Sequence, residues 1–583
     1  MGKSLGRRIA NAVSGLITVC TLAALTIVLC LLALSAMVST SFVTTKDATH
    51  LLEHTFFLPN NPLLGIVALA LVLAALALLA KPALRLARWL DANDTAFRRA
   101  RRALVALTGI VCIAWLAATQ PTPRSDQAIM MQLARDSLNG EWGNFTNHGY
   151  LGCFTSQIGL FWVFRLFAQV FGSADVFAFQ LVNVLAAMVM MWELLEITAL
   201  AGGSRLCQLA TSLLAILFFP MLQYVAFVYG NLLGLALSLA AIKHEMRFFR
   251  SPEPRLVDAI TSAALVGLAT VVKGNYAVFL LGMILYALVR LPERGVRPAA
   301  IAAGLLVVAY MAQSWISLQM ARYASSYPID QGCSPWGWIT MGAQESDLAS
   351  GWWNNYNWDS YMDARHNTAA QEQVAKRDLV LALQEMREGE GGMVGFYLRK
   401  TASQWNNPTF EGFWIVQSGG IGNPSDLIAN SVGNDAWMAQ FSVYLHVLQF
   451  LIIVGAVCWA VTLGWGSQEA RTGVVLAIVF VGGFACHLLW EAKCQYTLPY
   501  FELLIPLAAL GYARLMGYAM SRRMHRDDAN VQPKESGAAF ACKCGALACA
   551  AILCVALCAS GSLDGIRMDT AEFNAYLQQS QDQ

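Results

Sequence analysis

Asp126 stands just past an apolar run, in TQPTPRSDQAIMMQLARDSLNGEW. A carboxylate there can take a proton from an attacking hydroxyl within hydrogen-bond reach, or it can cap the helix AIMMQLARDSL as its N-cap. Lys273, in ATVVKGNYAVF, and Lys493, in LLWEAKCQYTLPYFELL, lie where apolar runs end, and Arg399 and Lys400 precede Trp405 in FYLRKTASQW. An ammonium at membrane depth must pair or face water. A phosphate is an apt partner for these four cations, with snorkelling to the interface as the plainer role and Glu491 as a neighbour for Lys493. Trp352, Trp353, Trp358 and Trp405 offer flat faces to the apolar side of a sugar, or else anchor their segment in an interfacial aromatic belt. Tyr229-Gly230-Asn231 opens an apolar run. Asn231 can hydrogen-bond a hydroxyl but cannot act as a base, and the glycine also suits a simple turn at a helix start. His148, His366 and His487 have no ligand-like spacing, and Cys542 and Cys544 form CxC, not the CxxC of a zinc site. No resident metal or cofactor is indicated, although a divalent ion stays open. Neither GxxxxGK[ST] nor a dinucleotide fingerprint occurs, so a nucleotide-linked donor is not indicated.

The elements that must hold these residues are membrane helices. Of 583 residues, 57% are hydrophobic and 13% charged, against about 25% charged in soluble domains. A net charge of +2 gives no reason to expect nucleic acid. The N-terminus is basic and then apolar for longer than the roughly 7–15 residues of a signal peptide core, so it reads as a retained first span. Apolar runs near 12–37, 62–80, 103–119, 176–199, 206–222, 229–247, 257–272, 276–290, 298–318, 441–464, 472–490, 498–516 and 538–559 make about thirteen candidate spans. Basic residues cluster at Lys3, Arg7 and Arg8, at 81–102, at 243–255, at 290–297, and at Arg514, Arg522, Arg523 and Arg526. The positive-inside rule assigns them all to the cytoplasm, which holds only when 155–171 does not cross. Arg165 in its middle argues the same way, since a central Arg costs about 2.5–3.5 kcal/mol on the insertion scale. The stretch is therefore expected to be half-inserted or juxtamembrane; the alternative is an ordinary span with Arg165 buried against protein.

That parity puts the N-terminus inside and the C-terminus outside, and makes 319–440 a large external segment, too long for a simple connection. The linker RRMHRDDANVQPKESG is the clearest flexible joint. The 14 Cys fall mostly in apolar runs as small buried hydrophobes. Cys153 and Cys333 share the external side, where a bridge between them is open.

The order of features from Asp126 to Phe171-Gly172 resembles the first external loop of the GT-C glycosyltransferases, of the protein O-mannosyltransferase and lipid A aminoarabinose transferase type (glycosyltransferase family 39). The matching residues run from Ser125-Asp126-Gln127 through Asn139-Gly140 and Gly149-Tyr150-Leu151 to Gln157-Ile158-Gly159-Leu160 and Phe171-Gly172. The pattern departs in two places: the second acid after Asp126 is Gln127, and the Pro-Pro-Leu that often opens the following helix is Ser-Gln-Ile. The resemblance covers roughly 103–320, with two extra spans ahead of it. It implies an all-α, polytopic transmembrane bundle of GT-C type. The implied activity is inverting transfer of a monosaccharide from a polyprenyl-phosphate donor to a glycan, lipid or protein acceptor at the outer face of the cell membrane. Asp126 would be the base; one carboxylate suffices because a phosphate leaving group needs no proton. Lys273, Arg399, Lys400 and Lys493 would hold the donor phosphate, and Gln127, Tyr150, Tyr229, Asn231, Trp352, Trp353, Trp405 and Tyr496 the substrates. Asn231 replaces an acid common at its position, which argues against a metal.

The expected divisions are 1–102 (two extra spans and a basic loop), 103–318 (catalytic core), 319–440 (external substrate-binding segment), 441–559 (C-terminal spans) and 560–583 (external tail). The rival function is a transporter or flippase for a lipid-linked saccharide. Transporters tend to have two related halves and charged or broken helices at midmembrane; no repeat is visible here, and Glu193 and Glu196 sit toward the inner end of their run.

Overall fold

The computed structural model describes residues 2–47, 52–417, 424–524 and 537–581. Arg526 and the linker with Pro533 lie outside the described residues, as do the side chains of Lys3, Arg522 and Arg523. The chain is about 80% helical. Helix α1 (Gly2–Val38) leads into a hairpin of β1 (Ser39–Asp47) and β2 (Leu52–Pro59). Then come α2 (Pro62–Ala92), α3 (Asp94–Thr119), α4 (Asp126–Leu138), α5 (Tyr150–Cys153), α6 (Ile158–Phe171), α7 (Asp175–Leu200), α8 (Arg205–Leu217), α9 (Pro220–Gln223), α10 (Gly230–Arg250), α11 (Leu256–Val272) and α12 (Ala277–Val289). After α13 (Leu291–Arg294), α14 (Val296–Ser325) runs past the expected 298–318. The 319–440 segment holds α15 (Pro335–Met341), α16 (Tyr356–Asp363), α17 (Thr368–Glu388), α18 (Gly392–Trp405) and α19 (Asp426–Ser431). The chain closes with α20 (Asp435–Thr462), α21 (Gln468–Leu489), α22 (Cys494–Phe501), α23 (Leu504–Met524), α24 (Gly537–Ala559) and α25 (Thr570–Gln581).

Among the described residues eight helices are long and apolar enough to cross a membrane, or nine when the pair at 205–226, bent by 59°, counts as one. About thirteen were expected, and the other runs fall on helices that are shorter, broken or more charged. Helix α10 carries Lys243, Glu245 and Arg247 in its last turns, while α11 and α12 are short. The run at 498–516 is interrupted at Glu502–Leu503, between α22 and α23. These helices pack in one bundle, and all but α2 contribute to one large apolar core.

Ion pairs gather the basic clusters at one end of that bundle. Arg101 and Arg247 both meet Glu196, Lys243 meets Glu193 at 2.8 Å, Arg290 and Arg471 share Glu293, and Arg514 reaches Glu469. Asp126 sits at the opposite end, and both ends of α6 are tied to it. Gly159, at the start of α6, lies so close to the Val271 carbonyl near the end of α11 that a Cβ would collide with it. At the far end of α6, Asp175 holds Arg135 of α4 at 2.9 Å. The 14 residues of α6 span about 21 Å, less than a hydrocarbon core of about 30 Å, and Gly172, at φ +55°, turns the chain into α7. Arg165 donates to Ser137 at 3.0 Å beside Trp142 and Trp162.

The hairpin is absent from the sequence reading. Its strands pair from Ser39↔Pro59 through Phe42↔Phe56. Their backbone continues into the 319–440 segment, Ser41 N donating to Asn406 O (3.2 Å) and Thr55 N to Leu348 O (3.1 Å). The 560–583 region docks on it: Phe573 packs on Phe42 and Phe56, and Asp569 accepts from Phe57 N at 2.7 Å. From α18 the chain dives into the bundle, burying Asn406, Asn407, Phe410 and Glu411.

Candidate functional site

Ser125, with φ +51° and ψ −136°, turns the chain into α4 and makes no side-chain cap bond. Such a conformation is costly for a residue with a Cβ and persists only where the surroundings enforce it. The N-cap alternative for Asp126 is thereby corrected: Ser125 is the cap position and Asp126 the first helical residue. Its carboxylate is exposed and accepts a hydrogen bond from the Tyr150 hydroxyl. Burial first, then Tyr229 and Asp126, raise the Tyr150 phenol, which keeps it a donor.

Across from Asp126, Lys273 caps the end of α11 and donates to Asn231 Oδ1 at 2.8 Å. Its ammonium lies 5.2 Å from the Tyr229 ring and 5.0 Å from the Tyr496 ring, an aromatic cage for a cation. The contact depends on Gly230, where a Cβ would meet the Val272 carbonyl, so α10 can start hard against the end of α11. Tyr229 is also hydrogen-bonded to Gln157, and the Asn231 carbonyl accepts from the Tyr276 hydroxyl.

A second cluster adjoins the first. Lys493 meets Glu53 from the hairpin at 2.6 Å and Glu411 at 4.0 Å. Glu411 accepts from the Cys494 thiol at 3.0 Å. Arg124 lies over Trp414 at 3.7 Å and donates to the Gln417 carbonyl at 2.6 Å. Burial pushes Glu411 up to about 7, against the pull of Lys493. Burial likewise pushes Glu491 up to about 7, where the charges of Lys493, Asp126, Glu53 and Lys273 all reach it. Burial opposes the charge on Lys493, but Glu53 and Glu411 carry its pKa above the ordinary lysine value. Among the described residues no three His, Cys, Asp or Glu side chains form a metal-sized group.

Seven residues expected from the sequence thus converge from separate stretches of chain: Asp126, Tyr150, Tyr229, Asn231, Lys273, Lys493 and Tyr496. Others do not present themselves to a ligand. Gln127 is buried, accepting from Val228 N at 2.8 Å and donating to the Arg124 carbonyl at 3.4 Å; it ties α4 to the chain before Tyr229. Lys400 is buried against the carbonyls of Gly342 and Trp490, and Arg399 pairs with Glu345 at 2.7 Å. Both are fastened within the 319–440 segment and its contact with α21. Trp352 is buried and donates to Ser403 at 2.8 Å, and Trp405 packs on Phe480 and Phe484; both are packing residues, which corrects the sugar-platform expectation. Trp353 is 38% exposed.

Sequence reasoning missed Glu53, Glu411, Arg124 and Gln157. The signal for the first two was a single acid in an aromatic, apolar stretch, LEHTFFLP and NNPTFEGFW, where a charge needs a partner. Comparison with protein-family profiles, curated proteins and solved structures returns no match.

Proposed function

We propose that this chain is an inverting membrane glycosyltransferase of GT-C type. It takes a monosaccharide from a polyprenyl-phosphate donor and passes it to a glycan, lipid or protein acceptor at the outer face of the cell membrane. The observation that carries the reading is an exposed carboxylate, Asp126, whose charge reaches the buried, aromatic-caged amine of Lys273 at the end of the bundle opposite the basic clusters. In this reading those clusters lie in the cytoplasm and about thirteen helices cross.

Asp126 accepts the proton of the acceptor hydroxyl as it attacks the anomeric carbon, while the bond to the phosphate oxygen breaks on the opposite face. Tyr150 holds the carboxylate in place. Lys273 meets the phosphate, whose growing charge as it leaves is stabilised more than the ground state is. Lys493, neutralised by Glu53 and Glu411, positions the 411 loop and is withdrawn from the set of phosphate ligands, as are Arg399 and Lys400. The test is a mass-spectrometric comparison of surface glycans and lipids from cells with and without the gene. A glycan mass lost with the gene, and returned by the wild-type chain but not by an Asp126→Asn chain, supports the reading; identical glycans overturn it.

A transporter of lipid-linked saccharide is favoured by one observation: the carboxylates of Glu245 and Glu502 are buried in the bundle without a hydrogen-bond partner among the described residues. Intramembrane acids often line transport routes. Uptake of a lipid-linked saccharide by vesicles holding Asp126→Asn would separate the two activities.

A further inference from the structure

Residues 147–154, which follow α4 and carry Tyr150, lie against residues 330–366 of the external segment. Cys153 and Cys333 meet there. The Cys333 N–H donates to the Cys153 carbonyl at 2.8 Å, and such a bond holds the α-carbons about 5–6 Å apart, inside the span of a bridge. Both thiols are buried in one small cluster with Tyr361. They hydrogen-bond to each other, and the Cys333 thiol lowers the pKa of Cys153. Gly332, at φ +70°, lets the chain pass so close to the Cys153 carbonyl that a Cβ would collide. Along the same seam the His148 and His366 rings stand 3.8 Å apart.

We propose that Cys153 and Cys333 are oxidised to a disulfide that fastens the Tyr150–Cys153 helix, and with it the hydroxyl held by Asp126, to the external segment. The oxidant is a protein disulfide donor of the extracytoplasmic space, so the proposal rests on the outer-face reading above. The Cys153 thiolate attacks one sulfur of the donor and expels the first donor thiolate. Cys333, deprotonated, then attacks the Cys153 sulfur of the mixed disulfide and expels the second. One S–S bond forms in this chain and one breaks in the donor, with two protons released. Because the thiols are buried in the finished fold, the exchange takes place while the segments are closing, and the completed bond resists reductant until the protein is unfolded.

The experiment uses the full chain, purified in detergent without reductant, unfolded in the presence of an alkylating agent, and digested for peptide mass spectrometry. The expected product is a cross-linked peptide containing Cys153 and Cys333, abolished by reduction after unfolding and absent from Cys153→Ser and Cys333→Ser. The double variant should melt several degrees lower than the oxidised protein, with turnover reduced in proportion to lost order at Tyr150. Alkylation of both residues without reduction overturns the proposal. A parallel Ser173→Cys chain, treated in intact cells with a membrane-impermeant maleimide, keeps the two readings apart. Label at 173 together with free thiols at 153 and 333 means that the bond fails and the outer-face reading stands. No label at 173 removes that reading and the bond's compartment together.

Discussion

Replacing Asp126 by Asn changes one oxygen for a nitrogen at the first position of α4, and the surroundings define what is lost. The Tyr150 hydroxyl still has an acceptor, now a neutral amide oxygen, so a charge-assisted bond of about 1.5–3 kcal/mol becomes a neutral one of about 0.5–1.5. The helix dipole loses its negative partner, worth about 0.3–1 kcal/mol at an exposed position. The sum, about 1–2 kcal/mol, is small for a chain whose core runs through the whole bundle. The melting midpoint in detergent should fall by no more than a few degrees. Chemistry should fall much further, because the acceptor's proton has nowhere to go: about 10²–10⁴ in turnover, equivalent to about 3–5 kcal/mol on the barrier. The assay follows release of polyprenyl phosphate in membranes supplied with the cell's own lipid-linked sugars, beside a thermal melt of the purified chain. A variant that melts like the wild type and turns over within threefold of it would refute the role of Asp126 and, with it, the reason for reading the chain as an enzyme.

Tyr150→Phe removes the donor that steadies Asp126 and should lower turnover by about 10- to 100-fold, the value of one charge-assisted hydrogen bond of about 1.5–3 kcal/mol, with the donor KM unchanged. Lys273→Ala should lower turnover as well as raise the apparent KM for the lipid donor, about tenfold or more in kcat/KM, because its contact with the phosphate strengthens as the phosphate leaves; unchanged kinetics leave it only as a partner of Asn231. Gly230→Ala pushes α10 off the end of α11 and should cost about 1–3 kcal/mol, read as a lowered melting midpoint together with a raised donor KM. Glu491 has a folded pKa of about 7, above its unfolded value near 4.3. The folded state therefore binds the extra proton between those values, and stability falls as pH rises from about 4.3 to 7, by up to about 4 kcal/mol in all. Melts at pH 5 and 7.5 measure this; if Glu491→Gln keeps the full wild-type slope, the slope belongs to another group.

The sequence made the membrane character legible because long apolar runs and clustered basic residues need no tertiary information. Arg165 and the basic clusters also pointed to 155–171 staying at one end; both ends of α6 are tied toward the Asp126 end, while 155–200 taken together is long and apolar enough to cross once. Asp126, Lys273 and Tyr229 were legible for a related reason: each is a polar group where an apolar run begins or ends. Trp352 and Trp405 misled because an aromatic side chain looks the same in a sequence whether it lines a cleft or fills a core. Glu53 and Lys493 stand 440 residues apart, and no local pattern states that they pair. Ser125 could not be anticipated, since its left-handed backbone is imposed by packing and not preferred by serine.

That long separation also sets an order of manufacture. A ribosome adding about 5–20 residues per second makes the hairpin roughly 20–90 s before Lys493 exists, and Phe573 emerges later still. Through that interval Glu53 has no cation, and the Phe42 and Phe56 faces have no cover. The charged cluster beside Asp126 is consequently a late product of biosynthesis, and a nascent chain halted before α25 carries an unfinished hairpin for the cell's folding helpers to hold.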